Sequence, residues 1–340
     1  MNENVLLQAL GPLAPLYQDE TVNEIMVDAP DRVYVERSTG QGPQLQDVAS
    51  PFTSPEDIRA VIDAVLGLDG IALSPQRTYA DVRFPDSSRM MAMIPPTAIH
   101  GPCLVIRRML GVLASVVTWD NLVKWGSVTA EIHEFLQGAI RANVNTLIAG
   151  GTASGKTTFA NRVAELNSPD RRLVVVEAVH EMQVKHPRCV YLEAGGPANV
   201  AFADLIVAAS CMRPDYLVIG EIWGPEAMRA VQIMSRGHTG LTNTHADSTE
   251  DALTKLETMC LMANLGLGLS EIRHLIASAL RLIVYQARLP DGRRKVTQIT
   301  ELRGLENERY VLAPLFRYDH EKDVIERTGT KASWELGVTD

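Results

Sequence analysis

The spacing of apolar and polar positions divides the chain into two stretches of different character. In the first, short alternating runs predominate. Val22 to Val27 and Arg32 to Glu36 read as β-rich segments around the turn Asp28-Ala29-Pro30-Asp31. Ser54 offers a helix N-cap and Pro55 suits the first helical position, and Ile58, Val61, Ile62 and Val65 recur at helical spacing up to Gly67. Tyr79 to Phe84 and Met90 to Ile94 predict two strands around Pro85-Asp86-Ser87-Ser88, with Met90, Met91 and Met93 as core filler. Pro95-Pro96 ends the second of these, and Cys103 to Arg107 makes a further strand. An amino-terminal α+β domain over residues 1–110 follows, with 111–124 as a linker.

From Trp125 onward the period changes. Thr146–Ala149, Leu173–Glu177, Leu217–Ile219 and Leu241–Thr244 read as strands separated by helical patterns, the first three of them largely apolar. Runs apolar at every position belong to strands covered on both faces, and their alternation with helices predicts a mostly parallel sheet. The fold class is therefore α/β, the second domain spanning 125–340. Ligands of such sheets bind at the carboxyl ends of the strands. Ile283 to Leu289 and Lys295 to Leu302 flank Asp291-Gly292, a hairpin signal, and Arg293, Arg294 and Lys295 read as a solvated turn.

Composition narrows the function. The 340 residues suffice for two cored domains, and the net charge of −9 argues against a surface that attracts nucleic acid. The amino terminus lacks the basic and apolar regions of a secretory signal. The longest apolar candidate, Thr258 to Ser270, is too short to span a bilayer. Cys103, Cys189, Cys211 and Cys260 are scattered, which argues against a zinc site or a disulfide framework and for reduced thiols in the cytoplasm.

The chemistry concentrates in the second stretch. Gly150-Gly151-Thr152-Ala153-Ser154-Gly155-Lys156-Thr157 fits the phosphate-binding P-loop, with an apolar strand before it and a helical pattern from Thr158 after it. Backbone N–H groups converge on phosphate at such a turn, and the helix dipole favours negative charge there. Lys156 would reach the β- and γ-phosphates and the Thr157 hydroxyl would help hold Mg²⁺. Tyr216 to Glu221 is an apolar strand ending in a carboxylate, the usual complement of a P-loop. Leu173 to Glu177 also ends in a carboxylate, with Glu181 four residues on. These two acids either hold Mg²⁺ through water and polarise the nucleophile, or cap local structure. His238 and His245 flank a third strand, as structural residues or as groups that sense the γ-phosphate.

These four segments stand in the order of the Walker A, Asp box, Walker B and His box motifs, and together resemble the type II/type IV secretion ATPase superfamily. Arg213-Pro214-Asp215 through Gly220-Glu221-Ile222, and Gly237-His238-Thr239-Gly240 through Thr244-His245-Ala246, are similar to that family. Val22 to Val27, Val33 to Arg37, Ser88-Arg89, Ile94-Pro95-Pro96 and Leu104 to Arg107 look like the amino-terminal domain of its VirB11/TrbB/CpaF-like branch. The resemblance covers roughly residues 10 to 320.

It implies a hexameric cytoplasmic ATPase with a RecA-like carboxy-terminal domain, peripheral at the inner membrane. Such an enzyme hydrolyses ATP to power pilus assembly, type IV secretion or conjugation with inner-membrane components. By the same resemblance residues 150–158, through Thr158, hold ATP. Thr157, Glu221 and Glu177 hold Mg²⁺, partly through water, and Glu221, Glu177, Glu181, His245, His238, Arg89 and Arg107 serve the chemistry. An Arg pair suits a developing anion. Two positions depart from the family: Ala178 follows Glu177 where an acid is common, and Trp223 stands where Arg is common. They keep open a nucleotide-binding scaffold with little turnover. A RecA-like nucleic-acid-dependent ATPase is the remaining alternative, opposed by the acidic charge.

Overall fold

The computed structural model describes residues 2–39, 42–108, 117–195 and 199–335. The chain forms two compact units, Met1–Val116 and Val117–Asp340. Of the stretch expected as a linker, residues 111–116 lie outside the described residues. Thr118 caps a helix, α4 (Trp119–Lys124), and Val117 and Leu122 are buried in the second unit's core.

The first unit begins with helices α1 (Glu3–Leu10) and α2 (Ala14–Gln18), followed by strands β1 (Val22–Ala29), β2 (Arg32–Thr39) and β3 (Gly42–Val48). Helix α3 (Pro55–Gly67) starts at the predicted N-cap Ser54, where Asp57 completes a capping box, and ends at the predicted glycine. Strands β4 (Tyr79–Arg83), β5 (Arg89–Met93) and β6 (Cys103–Arg107) complete an antiparallel sheet in the order β3-β2-β1-β6-β5-β4. Val61, Ile62 and Val65 of α3 pack on Ile25, Val27 and Ile106 in one core. Met90 is buried there, whereas Met91 and Met93 are only half-buried, because successive side chains of β5 face opposite ways.

The second unit contains α5 (Ala130–Arg141), β7 (Thr146–Gly150), α6 (Lys156–Ala164), β8 (Leu173–Glu177), β9 (Cys189–Glu193), α7 (Phe202–Ser210) and β10 (Tyr216–Glu221). After these come α8 (Ala227–Ser235), β11 (Gly240–His245), α9 (Thr249–Met262), α10 (Leu269–Ala279), β12 (Leu282–Arg288), β13 (Arg294–Glu306), β14 (Arg309–Asp319) and β15 (Val324–Arg327). The sheet order is β15-β14-β13-β12-β7-β11-β10-β8-β9. From β12 through β9 every pairing is parallel, and β13, β14 and β15 continue it antiparallel. Every residue of β7 and β8 is buried, since apolar clusters cover both faces of the sheet. The parallel sheet covered by helices is the expected α/β arrangement. No helix among the described residues is long and apolar enough to cross a membrane, and the four cysteines are free thiols.

Candidate functional site

Three parallel neighbours, β7, β11 and β10, end side by side, which follows from their register: Gly150 stands opposite His245, and Asn243 opposite Glu221. β7 runs straight into the P-loop, and α6 starts at Lys156 with Gly155 as its N-cap. Gly155 has φ +87° and offers no capping side chain, so the first-turn amides of α6 are left for an external acceptor. At Gly150 a methyl group would lie 2.3 Å from the Gln286 carbonyl oxygen and 2.6 Å from Ser154 Oγ. The loop folds back on its own strand so tightly that only glycine fits.

Lys156 reaches across the strand ends. Its Nζ, in a side chain 8% exposed, lies 3.1 Å from Glu221 Oε1 and 3.1 Å from His245 Nε2. Glu221 Oε1 is in turn 3.0 Å from His245 Nε2. Glu221 reaches this position through a register shift between Ile219 and Glu221, which turns the end of β10 toward the loop. The shift is fastened by Thr242 and Thr244, whose hydroxyls donate to the carbonyls of Gly220 and Ile222.

Glu177 is buried at the end of β8, and its carboxylate serves its own loop. Oε1 accepts from the amides of Glu181 and Met182, both at 2.9 Å, and Oε2 lies 2.8 Å from His180 Nδ1. The Glu181 contact is made by its backbone. His238 precedes β11 at the end opposite His245. Seven residues of extended chain separate the two by roughly 20 Å. His238 instead lines a cavity of about 840 Å³ with Arg171, Asp215 and Arg141. Thr157 and Thr158 are half-buried in the first turn of α6. In the first unit Arg89 and Arg107 face each other across β5 and β6, Arg89 paired with Asp81 and Arg107 3.4 Å from Glu24. Arg83 stands opposite Arg89, extending a basic row that the sequence reading missed.

Other residues at the loop were also missed. Of the triplet expected as a solvated turn only Arg293 is exposed in the turn; Arg294 and Lys295 begin β13. Lys295 is 4% exposed, its Nζ 2.7 Å from Asp323 Oδ1 and stacked over the Tyr318 ring, and Arg294 Nε donates to the Ala153 carbonyl at 3.0 Å. The Arg293 guanidinium, then the Lys295 ammonium, hold the Asp323 carboxyl far below the usual carboxylate range. Asn243 and Gln286 are buried amides inside strands β11 and β12. An Asn or Gln inside a strand-like run was the available signal.

The residues fit a nucleotide with its metal. Ser154 Oγ, Gln286 Oε1 and Asn243 Oδ1 and Nδ2 are all buried without a hydrogen-bond partner, and all belong to the P-loop or to the strands flanking β7. Buried polar atoms so placed ask for a polar ligand. Among the described residues no cluster of three or more His, Cys, Asp or Glu could hold a metal. A donor set of one hydroxyl and one carboxylate suits Mg²⁺, which takes few protein ligands and shares the rest with phosphate and water.

Comparison with known proteins agrees with this geometry. A family model described as Type II/IV secretion system protein matches residues 7–309. The conjugal transfer protein TrbB of Rhizobium radiobacter is 30% identical over 310 residues, covering 90% of this chain and 91% of that protein. A putative conjugal transfer protein of Mycobacterium tuberculosis is 27% identical over 312 residues, covering 88% and 86%. Among solved structures, the pilus retraction motor PilT with bound ADP has a TM-score of 0.59 at 15% identity, covering 96% of this chain and 85% of that one. The ATPase DotB of Legionella pneumophila has a TM-score of 0.54 at 17% identity, covering 86% and 79%. These two likenesses establish the fold, an amino-terminal domain followed by a RecA-like domain. With a family match over most of its length and the four motifs in order along its second unit, this chain belongs to the type II/IV secretion system family of ATPases.

Proposed function

We propose that the chain hydrolyses ATP as a homo-hexamer at the cytoplasmic face of the inner membrane, and that the cycle drives a conjugation, type IV secretion or pilus apparatus. The observation that carries the reading is the meeting of Lys156, Glu221 and His245 beside a P-loop helix whose N-terminus has no side-chain cap. In this reading the amides of residues 150–158 bind the β- and γ-phosphates, and Lys156 moves from Glu221 onto them. Thr157 and Glu221 would hold Mg²⁺, and Glu177 would be reached only through water. Bound Mg²⁺ neutralises phosphate charge and draws electron density from the γ-phosphoryl group. Glu221, freed of Lys156, orients the attacking water, and His245 is placed to sense the γ-phosphate. Arg89 and Arg107 carry guanidinium forks of a kind suited to an anion. His238 and Glu181 are given no part in the chemistry.

A second reading, a nucleotide-binding scaffold with little turnover, is favoured by Glu177. Both its carboxylate oxygens are engaged by its own loop, and Ala178 supplies no second acid. Phosphate release by the wild type, Lys156→Ala and Glu221→Gln, measured beside ADP binding, separates the two. Turnover lost in both variants supports the motor. Turnover persisting in Lys156→Ala refutes the site, and binding without turnover supports the scaffold. Light scattering with and without ATP tests the hexamer, and co-purification from host membranes tests the partners.

A further inference from the structure

The P-loop carries a strained residue. Ala153 has φ +58°, a left-handed conformation that costs a residue bearing a Cβ. Its carbonyl accepts from Arg294 Nε at 3.0 Å, across 141 residues of sequence. Arg294 does not reach there by chance. It lies between two anchored neighbours, Arg293 and Lys295, each bonded to Asp323 at 2.7 Å. Its stem packs on the loop, since a methyl group at Gly155 would meet Arg294 Cδ at 3.0 Å and the Gln286 amide nitrogen at 3.3 Å. Gln286 stands opposite Gly150 on β12, so both faces of this contact come from the β12–β13 hairpin.

We propose that Arg294 is a positioning residue for the P-loop: by holding the Ala153 carbonyl outward it presets the loop so that N–H groups, and no carbonyl oxygen, face the phosphates. A row of converging amides binds an anion only while the intervening carbonyls point away. Rotation of the Ala153–Ser154 peptide, about ψ of Ala153 and φ of Ser154, would flip that oxygen toward the phosphates. The guanidinium, bonded to that oxygen from a hairpin fastened through Asp323, opposes the flip. The hairpin is thereby a part of the nucleotide site, coupling the antiparallel extension of the sheet to loop geometry.

The inference rests on the nucleotide reading above. The test measures binding of a fluorescent ADP to the full chain for wild type, Arg294→Met, Arg294→Lys, Lys156→Ala and the double variant Arg294→Met/Ala153→Gly. Amide hydrogen exchange over residues 152–156 and melting without nucleotide accompany it. Arg294→Met should weaken ADP binding roughly tenfold, the scale of one charged hydrogen bond. It should speed exchange at 152–156 and leave melting unchanged. Arg294→Lys should restore part of the affinity. Ala153→Gly should recover part of it in the Met background, because glycine holds φ +58° without strain. Unchanged ADP affinity in Arg294→Met, while Lys156→Ala abolishes binding, overturns the inference and leaves the nucleotide reading standing. A wild type that binds no ADP overturns both.

Discussion

Neutralising Glu221 should tighten nucleotide binding in the absence of metal. Lys156 Nζ lies 3.1 Å from Glu221 Oε1 in a side chain only 8% exposed, so an incoming phosphate must take the ammonium from a carboxylate. At an effective dielectric constant of 20 the gross attraction at that distance is about 5 kcal/mol. Glu221 is 29% exposed and His245 also approaches both groups, so solvent and the third partner reduce the net hold to about 1–2 kcal/mol. Glu221→Gln keeps the shape and removes the charge. ADP affinity in buffer with chelator should then rise roughly 5- to 30-fold. With Mg²⁺ the gain should shrink or reverse, because the same carboxylate is the proposed metal ligand. Without nucleotide the variant should melt lower, by about 2–4 °C for each kcal/mol lost in a unit of this size. Isothermal titration with and without chelator reads the difference directly. Unchanged or weaker ADP binding in chelator would show that Glu221 does not compete for Lys156, and the reasoning would fail.

Gly150→Ala should abolish ADP binding and lower the melting temperature, since the new methyl would sit 2.3 Å from the Gln286 carbonyl oxygen; a variant that binds normally would mean the loop relaxes freely. Lys295→Met should change stability by less than about 1 kcal/mol, because the Asp323 carboxylate it leaves behind is half exposed and keeps Arg293, and the apolar side chain fills the buried space. Asp323→Ala, which strands the buried Lys295 ammonium, should melt clearly lower than Lys295→Met, and equal melting temperatures would refute this asymmetry. In the first unit the Asp19 carboxyl is lowered from 3.8 to about 2, first by the Thr21 hydroxyl and then by Arg37. A lowered carboxyl stabilises the fold above its unfolded value, so this contribution is present above about pH 4 and lost as pH falls through about 2. Asp19→Asn should flatten the stability profile between those limits, and a profile as steep as that of the wild type would rule the contribution out.

Much of this protein was legible in the chain because the signals are local. An N-cap serine followed by proline and a 3.6-residue period define α3, and apolar runs define β7, β8 and β10. A glycine-rich turn between strand and helix defines the P-loop, and the order of acidic and histidine segments after it indicates the family. Each of these rests on residues within a few positions of one another, whose backbone preferences and periodicity need no distant partner. Distance in space is what the chain does not carry. His238 and His245 look alike in sequence, flanking one strand, yet a strand has two ends and only one meets the P-loop. Glu177 reads as a metal acid until the fold brings the amides of its own loop onto it. The basic triplet at 293–295 reads as solvated because charges usually are. Only the pairing of β12 with β7, and of β13 with β12, sets Arg294 against a carbonyl 141 residues away and buries Lys295 beside Asp323. The chain by itself determined the elements and the chemistry they carry; the parallel order of the strands, fixed by burying both faces of one sheet, decided which of those groups meet.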